Sequence, residues 1–148
     1  VWEAWKTWRA ARGDSAEADC GRAATPAQAE HLRRGAAAEA LAAAHLEERG
    51  LRILARNVRC RGGEVDLIAE EHGSIVFAEV RLRGSTRFGG AAASITAAKQ
   101  RRIVIAAQTW LAGAGRQFAQ RPCRFDALLL DGLEPTRIDW IRGAFDAS

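Results

Sequence analysis

The sequence predicts an α+β layer fold in the order αβββαβ, with helices packed on one mixed sheet. Three observations lead there. An alanine-rich segment with a helix start and a helix stop comes first. Three short β-rich runs separated by glycine turns follow, and then a segment with helical apolar spacing stands before a further strand. At 148 residues the chain fits one domain able to bury a core without staples.

The first helix starts at "TPAQ", where Thr25 can cap, Pro26 takes the first helical position and Gln28 completes a capping-box pattern. It runs to Gly50, a natural stop, with Gly35 a candidate break. Residues 1–24 read differently: Trp2, Trp5 and Trp8 recur every third residue before a small, polar stretch. They are expected to form a flexible N-terminal extension, leaving 25–148 as the domain.

"LRILARNVRC", "EVDLIAE" and "SIVFAEVRL", joined by turns at "RGG" and "HG", predict a three-strand antiparallel meander. "GSTRFGGAAAS" reads as a loop. Ser94 is then expected to cap a helix through about Ala112, with the apolar stripe Ile95, Ile103, Ala106 and Trp110. "CRFDALLLD" is a fourth strand and "TRIDWIR" a weaker fifth.

Composition excludes several chemistries. Cys20, Cys60 and Cys123 are too few and scattered for a disulfide framework, and no CxxC pair suggests zinc, so a reducing, cytoplasmic setting is expected. No apolar run approaches the roughly 18–20 residues of a membrane span, so no membrane partner is expected. His31, His45 and His72 do not cluster, and "RFGG" lacks the lysine spacing of a phosphate-binding loop.

The net charge of +4 hides an asymmetry: no Asp or Glu occurs from Val80 through Phe125, a stretch rich in arginine. Such a distribution suits a polyanion, because phosphate backbones bind basic patches through counterion release.

Within "FAEVRLRGS" a carboxylate, Glu79, sits in a strand that should be buried, where an unpaired charge costs several kcal/mol. A two-residue turn at His72–Gly73 makes Glu71 face Ser74, Asp66 face Glu79 and Glu64 face Arg81. Two carboxylates about 5 Å apart repel by roughly 3 kcal/mol at an effective dielectric near 20. Arg81, on the same face, offers partial compensation, and a divalent cation with oxygen ligands offers more. Glu39 shares the first helix's stripe with Leu32, Ala36, Ala43 and Leu46, so it is a candidate third carboxylate. It reads equally as one exposed glutamate of an alanine-rich helix.

"GEVDLIAEEHGSIVFAEVRLR", with "RN" before it and "RFG", "AAKQRRI" and "RFD" after it, resembles the YraN family of bacterial proteins over roughly Arg34 to Leu130. The resemblance implies a restriction-endonuclease-like core and a nuclease metal site similar to that of archaeal Holliday-junction resolvases. By position it assigns Glu39, Asp66 and Glu79 as Mg²⁺ or Mn²⁺ ligands and Arg81 to the catalytic lysine of the pattern. It also allows a homodimer.

Arg81 departs from that pattern, since a guanidinium stays protonated and is bulkier than an ammonium. With 20 arginines and two lysines in the chain, retention of Lys99 draws notice. Lys99 stands four residues from both Ile95 and Ile103, on the buried stripe, and is expected to reach Glu79; it reads equally as a lysine snorkelling past the core.

The leading expectation is a metal-dependent nuclease acting on DNA and selective for its shape, with Arg83, Arg87, Arg101, Arg102 and Arg124 gripping phosphates without reading sequence. The alternatives are a nucleic-acid-binding module with an impaired metal site and an adaptor using the tryptophan stripe.

Overall fold

The computed structural model describes residues 25–83, 95–135 and 137–147. Helix α1 (Pro26–Glu48) is followed by strands β1 (Arg52–Cys60), β2 (Gly63–Glu71) and β3 (Ser74–Leu82). Helix α2 (Ala97–Ala112), a 3₁₀ turn (Arg116–Phe118) and strands β4 (Cys123–Leu130) and β5 (Ile138–Phe145) complete the order. The strands lie in sequence order in one five-stranded sheet, antiparallel except where β3 runs parallel to β4. The architecture is the expected α+β layer fold. The expected tryptophan stripe and loop, with Arg87 and Ser94, lie outside the described residues.

Local chemistry explains the element ends. The Thr25 hydroxyl accepts from the Gln28 N–H at 3.3 Å and the Gln28 side chain accepts from the Thr25 N–H at 2.8 Å, closing the capping box. The helix passes Gly35 without the break anticipated there, because the alanine runs that follow it at 36–38 and 42–44 hold helical propensity high. It ends in a Schellman motif: Leu51 N–H donates to Leu46 O, Gly50 N–H to Glu47 O, and Gly50 takes φ +87°. Helix α2 is capped by Thr96, whose hydroxyl accepts from the Lys99 N–H at 3.3 Å.

Each sheet face is covered by one helix. Val76, Ala78, Leu67, Leu128 and Leu130 pack under Ala38, Ala42, Ala43 and Leu46 of α1. Ile68, Ile75, Phe77, Phe125 and Ala127 pack under Ile103, Ala106, Ala107, Trp110 and Leu111 of α2. Each fully buried leucine contributes about 1.5–3 kcal/mol by leaving water. The expected α2 stripe, Ile95, Ile103, Ala106 and Trp110, is buried throughout.

The β2–β3 turn is the predicted one, with His72 at φ 47° and Gly73 at φ +85°, the pair of positive values a type I′ hairpin needs. Its ladder runs from Glu71↔Ser74 to Leu67↔Ala78. The sheet then forks: β2 continues beside β1 as far as Gly63, while β3 continues beside β4 as far as Leu82. Side-chain alternation also breaks here, since Val65 and Ile68, three residues apart, both face α2. Across from Asp66, Asn57 of β1 takes φ 51°, so both strands adjust at one level.

Candidate functional site

The fork brings the expected carboxylates together. The hairpin ladder stops at Leu67↔Ala78, one residue short of Asp66 and Glu79, and Asp66 Oδ2 accepts the Val80 N–H at 2.8 Å. Glu79 is only 5% exposed, and its Oε2 is buried without a hydrogen-bond partner among the described residues. Burial, and after it the charge of Asp66, push the Glu79 carboxyl up to about 7, with Lys99 opposing the rise.

Helix α2 delivers the cation. Lys99 Nζ lies 3.2 Å from Glu79 Oε1 and 3.0 Å from Glu64 Oε1, so one ammonium bridges both strands of the fork. Burial works against its charge, but the hydrogen bond to Glu64 and the charge of Glu79 outweigh it and hold the Lys99 pKa above its ordinary value. The hydrogen bond from Lys99 depresses the Glu64 carboxyl, with Arg102 at 3.5 Å and Arg59 at 4.0 Å adding to the effect against burial. Close packing of α2 on β2 sets this geometry: a Cβ on Gly63 would lie 2.1 Å from Arg102 O and 2.9 Å from Ala106 N.

The other expected site residues divide. Arg81 is exposed on β3, with Leu129 of β4 as its register partner. Glu39 is half-buried on α1, the helix of the opposite face, and does not complete a carboxylate triad: among the described residues no three Asp, Glu, His or Cys side chains gather as a metal group. Glu39 lies on the helix that packs against the sheet face opposite the one α2 covers.

Of the expected phosphate contacts, Arg101 and Arg102 are exposed on the first turns of α2. Arg83 instead pairs with Asp131 at 3.1 Å and Asp139 at 3.5 Å. Arg124 donates to the fully buried Asp126 at 2.8 and 3.0 Å and to Glu71 at 2.8 Å. Trp140 Nε1 and the Gly143 N–H, both at 2.9 Å, supply Asp126 with further donors. Acidic residues beyond Phe125 thus fold back onto arginines that the sequence left unpaired. Glu64 was missed as a site residue; its position two before Asp66 was the available signal. Exposed Arg56, Arg59 and Arg61 on and beside β1 were missed as well.

Among the described residues the donor set has the chemistry of one ion more than of another. Two carboxylates, one with an unbonded oxygen, match the sparse protein ligation of Mg²⁺, which keeps waters and takes substrate phosphate oxygens. A closed structural zinc site would need four protein ligands. No described helix is long and apolar enough to cross a membrane.

Comparisons with known proteins agree with this core. The model of Uncharacterised protein family UPF0102 matches residues 38–130, which include the whole fork and β4. UPF0102 protein NE0719 of Nitrosomonas europaea is 54% identical over 115 residues, covering 78% of this chain and 95% of that protein. UPF0102 protein RALTA_A3032 of Cupriavidus taiwanensis is 53% identical, covering 77% and 83% respectively. A UPF0102 protein of Xanthomonas campestris pv. campestris is 51% identical over 112 residues. The chain belongs to the UPF0102 family, the YraN family of the sequence resemblance.

Proposed function

We propose that the protein is a cytoplasmic metal-dependent nuclease that hydrolyses phosphodiester bonds in DNA at the fork between β2 and β3. The observation that carries this reading is Oε2 of Glu79, buried beside Asp66 and without a donor among the described residues. A buried acceptor left unsatisfied is penalised by about 1–3 kcal/mol, and a cation relieves it. Asp66 and Glu79 would hold Mg²⁺ or Mn²⁺, which when bound lowers the pKa of a coordinated water and neutralises phosphate oxygens.

The chain's own residues supply the rest. Lys99 keeps its charge and stands in the first turn of α2, where the helix dipole already favours anions. Cations are disfavoured at that end of a helix unless an anion is recruited, and the first turn of α2 carries no acid. Arg101 and Arg102 follow on the same turns, with Arg59 beside Glu64. Together they surround the fork with charges that position a phosphate backbone without reading its bases. Hydrolysis adds water across one P–O bond, and the charge that develops on the phosphoryl oxygens meets Lys99 rather than solvent. A homodimer, which the resolvase likeness allows, would present two forks to a branched substrate.

End-labelled single-stranded, duplex, flap and four-way-junction DNA incubated with Mn²⁺, Mg²⁺ or EDTA tests the reading. Cleavage that needs the metal and disappears in Asp66→Asn is expected. Salt-sensitive binding by both proteins, with cleavage by neither, would replace the enzyme with the binding module that the Arg81 departure favours.

A further inference from the structure

We propose that Glu64 is a positioning residue that receives the Lys99 ammonium when a divalent cation takes Glu79. The inference rests on the reading of Asp66 and Glu79 as cation ligands. In the structure Lys99 occupies both carboxylates at once, 3.0 Å from Glu64 and 3.2 Å from Glu79. An ammonium at Glu79 Oε1 opposes a cation at Oε2 of the same carboxylate, because like charges repel most strongly where water is excluded.

Glu64 resolves the competition. Its side chain is 31% exposed, against 6% for Glu79, so it carries charge in contact with solvent. Lys99 already lies marginally closer to it. A lysine has three rotatable donors on a flexible stem, so release from Glu79 needs a side-chain rotation and no backbone shift. Helix α2 cannot yield readily, since Gly63 seats directly against the Arg102 carbonyl. Lys99 thus stays at the mouth of the fork, displaced but still bound, and available to a phosphate.

This arrangement predicts coupling between two residues neither of which is a metal ligand. Mn²⁺ binding to the full chain, followed at one pH by the paramagnetic resonance of the free ion, is measured for the wild type, Glu64→Gln, Lys99→Met and the double variant. With Lys99 present, Glu64→Gln is expected to weaken Mn²⁺ binding about tenfold, because the ammonium then has only Glu79 to hold. In the Lys99→Met background the same change is expected to matter less than about twofold, and Lys99→Met alone tightens binding. Equal weakening in both backgrounds overturns the proposal, since Glu64 would then act as a ligand or a distant charge. No effect in either background overturns it as well. Absence of Mn²⁺ binding in all four proteins overturns the cation site itself. Should Glu64→Gln lose its cooperative unfolding transition, Glu64→Asp substitutes: weakening that requires Lys99 supports the proposal, and weakening independent of it does not.

Discussion

A carboxyl 5% exposed, with one oxygen unbonded among the described residues, is stabilised by a proton, a donor or a cation. With Glu79 raised to about 7 from an ordinary value of about 4.5, the folded protein binds more protons than the unfolded chain between those pH values. Its contribution to stability is therefore complete below about 4.5 and lost as pH rises through about 7. In EDTA the melting temperature is expected to fall over that window and, in Glu79→Gln, to lose this part of the pH dependence. Mg²⁺ should restore the wild type above pH 7; a wild-type curve identical to that of Glu79→Gln would contradict the assignment. Cation roles separate at the same scale. Lys99→Met is expected to lower the cleavage rate about 10²–10³-fold with the fold retained, as loss of one preorganised charge does. Arg81→Lys should change it less than about threefold, and the reverse ranking would return the catalytic charge to β3. Lys99 was legible in the sequence because its spacing from Ile95 and Ile103 set its face. Glu39 was not, because an alanine-rich helix shows too little contrast between its faces.

Elements place these residues, and their ends follow local rules. The capping box at Thr25 and the hairpin at His72–Gly73 were readable because each depends on a few neighbouring residues. The cap of α2 was read as Ser94, whereas Thr96 fills that place; two cap-competent residues two apart are not separated by local pattern. Contact between elements was equally hidden: nothing nearby in sequence reveals that Gly63 lies beneath the Arg102 carbonyl. Gly63→Ala is expected to force α2 outward and lower stability by about 1–3 kcal/mol, measured by urea unfolding. It should also weaken Mn²⁺ binding, because Lys99 and Arg102 move with the helix. Unchanged stability would show that α2 is not seated as described. Asp126→Ala is expected to be worse, about 3–5 kcal/mol, since Arg124, the Trp140 Nε1–H and the Gly143 N–H lose one shared buried acceptor.

Across the whole molecule, charge is sorted by where later strands return. Arg83 and Arg124 belong to the acid-free stretch, yet meet acids 48 and 53 residues away through the parallel β3–β4 pairing and the ends of the sheet. No sequence window of ordinary length shows that, which is why Arg83 and Arg124 were expected to face phosphate rather than these acids. Exposed arginines among the described residues include Arg56, Arg59 and Arg61 on and beside β1 and Arg101 and Arg102 on α2. DNA affinity should fall steeply with salt, and Arg101→Ala with Arg102→Ala should lower the logarithmic slope by about 2, near 0.9 per lost phosphate contact. Arg83→Ala should leave the slope unaltered; a loss there equal to that at Arg101 would place the nucleic acid on the wrong side of this account. The nuclease reading depends on a cation in the fork. Crystals grown with Mn²⁺ and measured near its absorption edge test that most directly: an anomalous peak between the Asp66 and Glu79 carboxylates, with Lys99 on Glu64, is the predicted result. A peak elsewhere, or Lys99 still bridging both glutamates at millimolar Mn²⁺ with no peak in the fork, would contradict it.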